Sequence, residues 1–106
     1  MTNKKINIII ADDHRIFLEG LMALLQNCNE LNIIAAVSNG QEVLDILKVK
    51  QADVVLTDID MPIMDGMKLT KELKKNYPGI KILALTMHNE GRIISSLLKA
   101  GVTSIF

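Results

Sequence analysis

Residues 6–13 of this 106-residue chain read INIIIADD, and residues 54–60 read VVLTDID. Each stretch is a short run rich in branched aliphatic residues that ends in aspartate, with little alternation of apolar and polar residues. Near-continuous hydrophobicity is typical of parallel strands that are covered on both faces. The two stretches therefore predict two buried strands, each with aspartates at its carboxyl end.

Three further segments have the same character. The five predicted strands are Ile6–Ala11, Asn32–Val37, Val54–Thr57, Lys81–Thr86 and Ser104–Phe106, the last of which is cut off by the end of the chain. A helical pattern with apolar residues three and four positions apart separates each strand from the next. Strict alternation of strand and helix with short connections predicts an α/β fold, a doubly wound parallel sheet in a single domain.

Local signals predict where the helices begin and end. Asn39 followed by Glu42 predicts a capping box at the second helix, and Asp65 predicts the start of the third. Pro78-Gly79 ends the third helix. The fourth is expected to begin after Asn89 and to turn its apolar residues inward, namely Ile93, Ile94, Leu97 and Leu98.

The overall composition excludes several classes of protein. Twelve basic residues balance twelve acidic ones and only three residues are aromatic, which argues against electrostatic or stacking contacts with nucleic acid. The single cysteine, Cys28, cannot form an internal disulfide. No apolar run approaches membrane-spanning length. We therefore expect a soluble, cytoplasmic domain that binds neither nucleic acid nor membrane directly.

The aspartates point to phosphoryl chemistry. Asp12 and Asp13 follow the first strand, while Asp58 and Asp60 follow the third. If these strands are neighbours, the carboxylates share one crevice at the carboxyl edge of the sheet, where they repel one another unless a cation is present. Hard oxygen ligands favour Mg²⁺, Asp58 is the best-placed nucleophile, and the Thr86 hydroxyl can bond a phosphoryl oxygen.

Three motifs together carry a family resemblance. Residues 8–14 read IIIADDH, residues 58–66 read DIDMPIMDG, and residues 83–86 read LALT. The chain thereby resembles the receiver domain of two-component response regulators. The stretch Asp12-Asp13-His14-Arg15, with Phe17 and Gly20-Leu21, further resembles the subgroup whose full-length members carry a LuxR-type helix-turn-helix output domain.

The resemblance implies a flavodoxin-like five-stranded sheet in the order 2-1-3-4-5 and a role for each site residue. Asp58 would accept the phosphoryl group from a histidine kinase, and Thr86 would be the switch hydroxyl. Asp13, Asp58 and the backbone carbonyl of Asp60 would hold Mg²⁺ directly, and Asp12 would act through a water molecule. A second receiver is a further expected partner.

Two departures from the family pattern suggest that residues 1–106 are a C-terminally incomplete receiver. The family's lysine after strand five would lie about two residues past Phe106, and the fifth helix is absent from the chain. Without that helix, we expect strands one and three to expose apolar surface, and the chain to be marginally stable or to associate. Ile105 occupies the position of the family's switch aromatic, unless the register differs by one and Phe106 takes that role.

The predicted function is a phosphorylatable signalling switch that regulates an output domain, expected to be a transcription regulator. It would be no enzyme apart from catalysing its own phosphoryl transfer and hydrolysis. Two alternatives stay open: a protein-interaction module that cannot be phosphorylated, and, less favoured, an aspartate-nucleophile phosphatase. His14 could be imagined as a metal ligand, but a lone histidine beside carboxylates is more often a hydrogen-bonding loop residue.

Overall fold

A computed structural model describes residues 5–86 and 91–105 of the chain. In the described parts, strands and helices alternate along the chain. They are β1 (Ile6–Ala11), α1 (Arg15–Gln26), β2 (Leu31–Val37), α2 (Gly40–Leu47), β3 (Val54–Asp58), α3 (Gly66–Asn76), β4 (Lys81–Leu85), α4 (Gly91–Ala100) and β5 (Ser104–Ile105). The predicted strands are confirmed to within one residue at each described end.

The strands form one parallel sheet in the order β2-β1-β3-β4-β5, which confirms the predicted fold class. Strand order reverses at β1, because β2 lies on one side of it and β3 on the other. In doubly wound sheets the crevice beyond the strand ends at such a switch point is where ligands bind.

The main core lies on one face of the sheet, against α2, α3 and α4. It contains alternate residues of the central strands, such as Ile9 and Val55, packed with helix residues such as Val43, Leu69 and Leu97. Alternation puts the intervening strand residues on the opposite face. These residues are Ile8, Ile10 and Leu56, and all are less than a tenth exposed.

The burial of those residues corrects one expectation. Apart from Ile6 at the start of β1, strands β1 and β3 do not expose the apolar surface that was predicted for a receiver without its fifth helix. The exposed apolar residues of this region lie instead on α1, a helix that contacts β2 and has no buried residue. The exposed apolar side chains of α1 are Ile16, Phe17 and Leu24.

Side-chain caps fix the starts of α2 and α3, as predicted. The Asn39 side chain accepts a hydrogen bond from the Glu42 backbone N–H, and the Glu42 carboxylate accepts one from the Asn39 side chain. Asp65 accepts from the Lys68 N–H at 2.8 Å. The α3 helix ends at Asn76, immediately before Tyr77-Pro78.

The fourth helix follows its prediction only in part. Leu97 is fully buried and Ile93 and Ile94 are half-buried, but Leu98 is more than half exposed. Adjacent helix positions differ by about 100°. Leu98 therefore falls outside the buried stripe on which Leu97 is centred. The predicted start after Asn89 and the role of Phe106 lie outside the described residues.

Candidate functional site

The sheet register brings the predicted site residues together. Ala11 is paired with Thr57 across β1 and β3, so the residues that follow them, Asp12 and Asp58, come next to each other at the strand ends. On the other side, Asp58 is paired with Leu85 of β4, and Thr86 is the next residue of that chain segment. Three strand ends thus place three candidate residues at one edge.

A cavity of about 570 Å³ opens at this edge. Its lining combines polar residues from the strand ends with two apolar walls, and consists of Asp12, His14, Phe17, Asp58, Asp60, Leu85 and Thr86. Neither apolar wall, Phe17 or Leu85, was predicted from the sequence as part of the site. Phe17 belongs to the apolar pattern of α1, and only the packing of that helix shows that the ring borders the crevice.

Three carboxylates and one imidazole form a cluster at the cavity. One oxygen or nitrogen atom from each of Asp12, Asp13, His14 and Asp58 lies within 4.8 Å of all the others. Asp12 is buried and Asp58 is only 14% exposed, whereas Asp13 is partly open to solvent. Carboxylate oxygens are the hard ligands that Mg²⁺ prefers, so the donor set fits a divalent cation.

His14 is closely held by this cluster. Its backbone N–H donates to Asp12 Oδ1 at 2.8 Å, and its Nδ1 lies 2.9 Å from the same oxygen. The hydrogen bond to Asp12, with the charge of Asp13, raises the pKa of the His14 imidazole above its usual value. The cluster therefore favours positive charge at this position.

Asp58 is held from one side. Its Oδ1 accepts a hydrogen bond of 2.7 Å from the Ile59 N–H, and its Oδ2 lies 3.6 Å from His14 Nδ1. Burial raises the pKa of the Asp58 carboxyl and the charge of Asp12 adds to the rise, whereas the backbone hydrogen bonds from Ile59 and Asp60 lower it. One oxygen is thus anchored, while the other faces the cluster.

The loop after Asp58 packs tightly against the backbone. The Gly66 N–H donates to the Ile59 carbonyl at 2.8 Å, and the Gly40 N–H donates to the Met64 carbonyl at 2.8 Å. A β-carbon on Gly66 would collide with the carbonyl oxygen of Asp58. The glycine after Asp65 is therefore required by the close approach of α3 to the strand end.

One residue of this loop has an uncommon backbone conformation. Ile63 has a φ of +67°, which L-residues with branched side chains rarely adopt. Its side chain is 81% exposed, so burial does little to offset the strain. Nothing in the sequence signalled this, because Pro62 predicts a turn without specifying its type.

The remaining predicted ligand, Asp60, is exposed and borders the cavity. Asp65 caps α3, as predicted, and is not part of the cluster. In residues 5–86 and 91–105, no helix is long and apolar enough to cross a membrane. The cytoplasmic location stays a prediction.

Comparison with known proteins identifies the protein family of the chain. The family described as response regulator receiver domain matches residues 8–106. The chain belongs to that family. Its strand order and the carboxylate cluster at the switch point are what the resemblance implied.

Two similar proteins indicate the subgroup of response regulators to which the receiver domain is related. The chain is 41% identical over 98 residues to the transcriptional regulatory protein LnrK of Bacillus subtilis (strain 168), covering 92% of this chain and 44% of LnrK. It is 32% identical over 103 residues to the transcriptional regulatory protein DegU of Brevibacillus brevis, covering 97% of this chain and 44% of DegU. The chain thus spans less than half the length of these relatives.

A solved structure agrees with the fold. The isolated receiver domain of RcsB from Salmonella enterica serovar Typhimurium, in the presence of the phosphomimetic BeF3-, superposes with a TM-score of 0.89 at 32% identity. The match covers 97% of this chain and 77% of that one. The receiver domain is therefore of the type found in LuxR- and NarL-like response regulators.

Proposed function

We propose that this chain is a phosphoryl-accepting switch in two-component signalling, and that Asp58 takes the phosphoryl group from a phosphohistidine of a histidine kinase. The observation that carries the proposal is the convergence of Asp12, Asp13 and Asp58 at a strand-order reversal, with Thr86 directly after the neighbouring strand β4. The family match supports it.

Asp58 has the features of a nucleophile in this reaction. Oδ2 is proposed as the oxygen that attacks phosphorus, because it faces the cluster while Oδ1 accepts the Ile59 hydrogen bond. The new O–P bond forms as the P–N bond to the donor imidazole breaks, and the imidazole leaves with the electron pair and takes up a proton. The raised pKa of Asp58 indicates a carboxylate destabilised by burial, and therefore a more basic oxygen.

A divalent cation fits this site. We propose that Asp13, Asp58 and the backbone carbonyl of Asp60 hold Mg²⁺, with Asp12 acting through a water molecule. When bound, Mg²⁺ would neutralise charge on the transferring oxygens. The clustering of the carboxylate oxygens supports this assignment, because three carboxylates this close repel one another without a cation.

Thr86 is proposed as the residue that senses the phosphoryl group. It follows Leu85, the register partner of Asp58, and lines the same cavity. Its hydroxyl can donate a hydrogen bond to a phosphoryl oxygen on Asp58, which would draw the end of β4 toward the site. Movement of this segment would bias α4 and β5 between two states.

The wider protein is also part of the proposal. LnrK and DegU are named as transcriptional regulatory proteins, which supports an output domain that controls transcription. We propose that residues 1–106 are one receiver domain that the family's lysine and fifth helix complete, and that a second receiver is a partner. The exposed apolar side of α1 supports a missing covering element.

Incubation with Mg²⁺ and acetyl phosphate, followed by mass spectrometry of peptides, tests the assignment. In the natural chain, extended past β5, we expect one phosphoryl group on Asp58 and none in Asp58→Asn or in protein treated with EDTA. Asp65→Asn is the matched control, because Asp65 lies on the same loop but outside the cluster. Absence of phosphate from Asp58 in the extended chain would refute the proposal, and turnover of phosphate esters would favour a phosphatase.

A further inference from the structure

The imidazole of His14 occupies an unusual place in the cluster. Its Nδ1 lies 2.9 Å from an oxygen of Asp12, 3.3 Å from one of Asp13 and 3.6 Å from one of Asp58. Three carboxylates from two strand ends therefore surround one nitrogen atom. The rest of the side chain is open to solvent, with 70% of its surface exposed.

The position of the His14 ring is set by the site and not by the helix that follows it. His14 directly precedes α1, but its side chain makes no capping hydrogen bond to that helix. The ion pairs of its ring are all with carboxylates of the site. Ion pairing therefore holds Nδ1 among the oxygens of the site, where it lies beside the donors that would hold the cation.

The distances match those between neighbouring ligands of one ion. Ligands about 2.1 Å from a metal in an octahedral site lie roughly 3 Å from their neighbours. The distances from Nδ1 to the oxygens of Asp13 and Asp58, the two carboxylates proposed to hold the cation directly, are 3.3 and 3.6 Å and fall near this value. A single ion can therefore be bound by the nitrogen and the oxygens together, after small adjustments.

We propose that His14 Nδ1 is a direct ligand of the divalent cation, and that the resulting nitrogen and oxygen site binds Mn²⁺ in preference to Mg²⁺. The inference rests on the metal site of the proposed function. Imidazole nitrogen is a favourable ligand for first-row transition ions, whereas Mg²⁺ favours oxygen ligands and retains its waters. In the liganding tautomer the proton resides on Nε2 of the exposed ring.

Pulsed electron paramagnetic resonance of Mn²⁺ bound to the chain tests the ligand directly, through coupling to an imidazole ¹⁴N. We expect this coupling in the parent chain and its loss in His14→Asn. His88→Asn is the control, because His88 is the only other histidine in the sequence. The coupling should persist there. Melting curves check that the variants fold, and asparagine is a favourable residue before a helix.

Isothermal titration supplies an independent measurement. Loss of groups that only orient a metal ligand lowers affinity about 10- to 100-fold, so loss of a ligand should lower Mn²⁺ affinity at least about tenfold. Mg²⁺ affinity should change much less, and the preference for Mn²⁺ should shrink in His14→Asn. Equal losses for both ions, or no loss, would contradict the inference.

The outcomes separate this inference from the proposed function. Mn²⁺ binding that Asp13→Asn abolishes, but that shows no ¹⁴N coupling, overturns the role of His14 and leaves the phosphoryl switch intact. A coupling lost in His88→Asn rather than His14→Asn overturns it as well. If neither Mn²⁺ nor Mg²⁺ binds, both the inference and the metal site on which it rests are overturned.

Discussion

Replacement of Ile63 by glycine should stabilise the protein. The residue lies in the loop after Asp58 with a φ of +67°, in the left-handed region where a β-carbon is crowded. Glycine adopts this conformation without a steric cost. The exposed side chain offers little packing to lose, since 81% of its surface is open.

The balance of three effects sets the size of the change. Relief of the left-handed conformation should stabilise by about 2 kcal/mol for a β-branched residue. The greater freedom of glycine in the unfolded chain reduces this stabilisation by about 0.7 kcal/mol. Loss of the apolar contacts of the buried fifth of the side chain reduces the stabilisation by a further amount of about 0.4 kcal/mol. The free energy of unfolding should therefore rise by about 1 kcal/mol, or about 5 °C in midpoint temperature.

Urea unfolding followed by far-UV circular dichroism measures this change, with two matched variants. Val49 is 78% exposed and has an ordinary negative φ, so Val49→Gly should lower the free energy of unfolding by about 1 kcal/mol. Ile63→Ala keeps the β-carbon and should gain less than Ile63→Gly. A less stable Ile63→Gly, or an equal gain with alanine, would refute the argument from backbone strain.

Three further predictions concern the site and the core. Gly66→Ala should lower the free energy of unfolding by about 2 kcal/mol and weaken Mg²⁺ binding, because its β-carbon collides with the Asp58 carbonyl. Gly79→Ala, with open space around Gly79, should change the free energy of unfolding by less than about 0.5 kcal/mol. Equal effects of the two variants in urea unfolding and in Mg²⁺ titrations would contradict this. Without divalent cations, Asp58→Asn should be more stable than the parent at neutral pH, because folding raises the pKa of the Asp58 carboxyl. Such a carboxyl contributes stability below its ordinary pKa and loses it as the pH rises through the raised value, so the advantage of Asp58→Asn should fade in acid. A stability gain independent of pH in thermal melts would contradict this. Leu73→Ala should cost about 3 kcal/mol, because Leu73 is fully buried, while Leu24→Ala on the open side of α1 should cost less than about 0.5 kcal/mol by urea unfolding.

Much of this fold was predictable because local signals agree with the tertiary structure. The buried strands follow from near-continuous apolar runs, and the starts of α2 and α3 follow from Asn39 and Asp65, whose side chains cap their own helices. The predicted neighbours β1 and β3 bring Asp12 and Asp58 together through simple register. In each case a short segment carries enough information to specify its structure.

The errors arise where burial depends on distant elements. Leu98 fits the apolar pattern of α4, yet the helix turns it outward because the stripe is centred on Leu97. The burial of Ile10 and Leu56 shows that the inner strands are covered even though α1 has no buried residue of its own. Apolar spacing indicates which helix faces are candidates for burial, but the packing decides which of them is covered.

The site adds a constraint that the net charge of the chain does not show. Zero net charge conceals three carboxylates held at one strand-order reversal, with Asp58 made more basic by burial and by Asp12. Such a cluster is costly until positive charge reaches it. In the described structure His14 comes closest to supplying that charge, with its Nδ1 among the same oxygens that fit the cation. Cation binding must therefore either displace the imidazole or include it as a ligand, and the ¹⁴N coupling distinguishes these two outcomes.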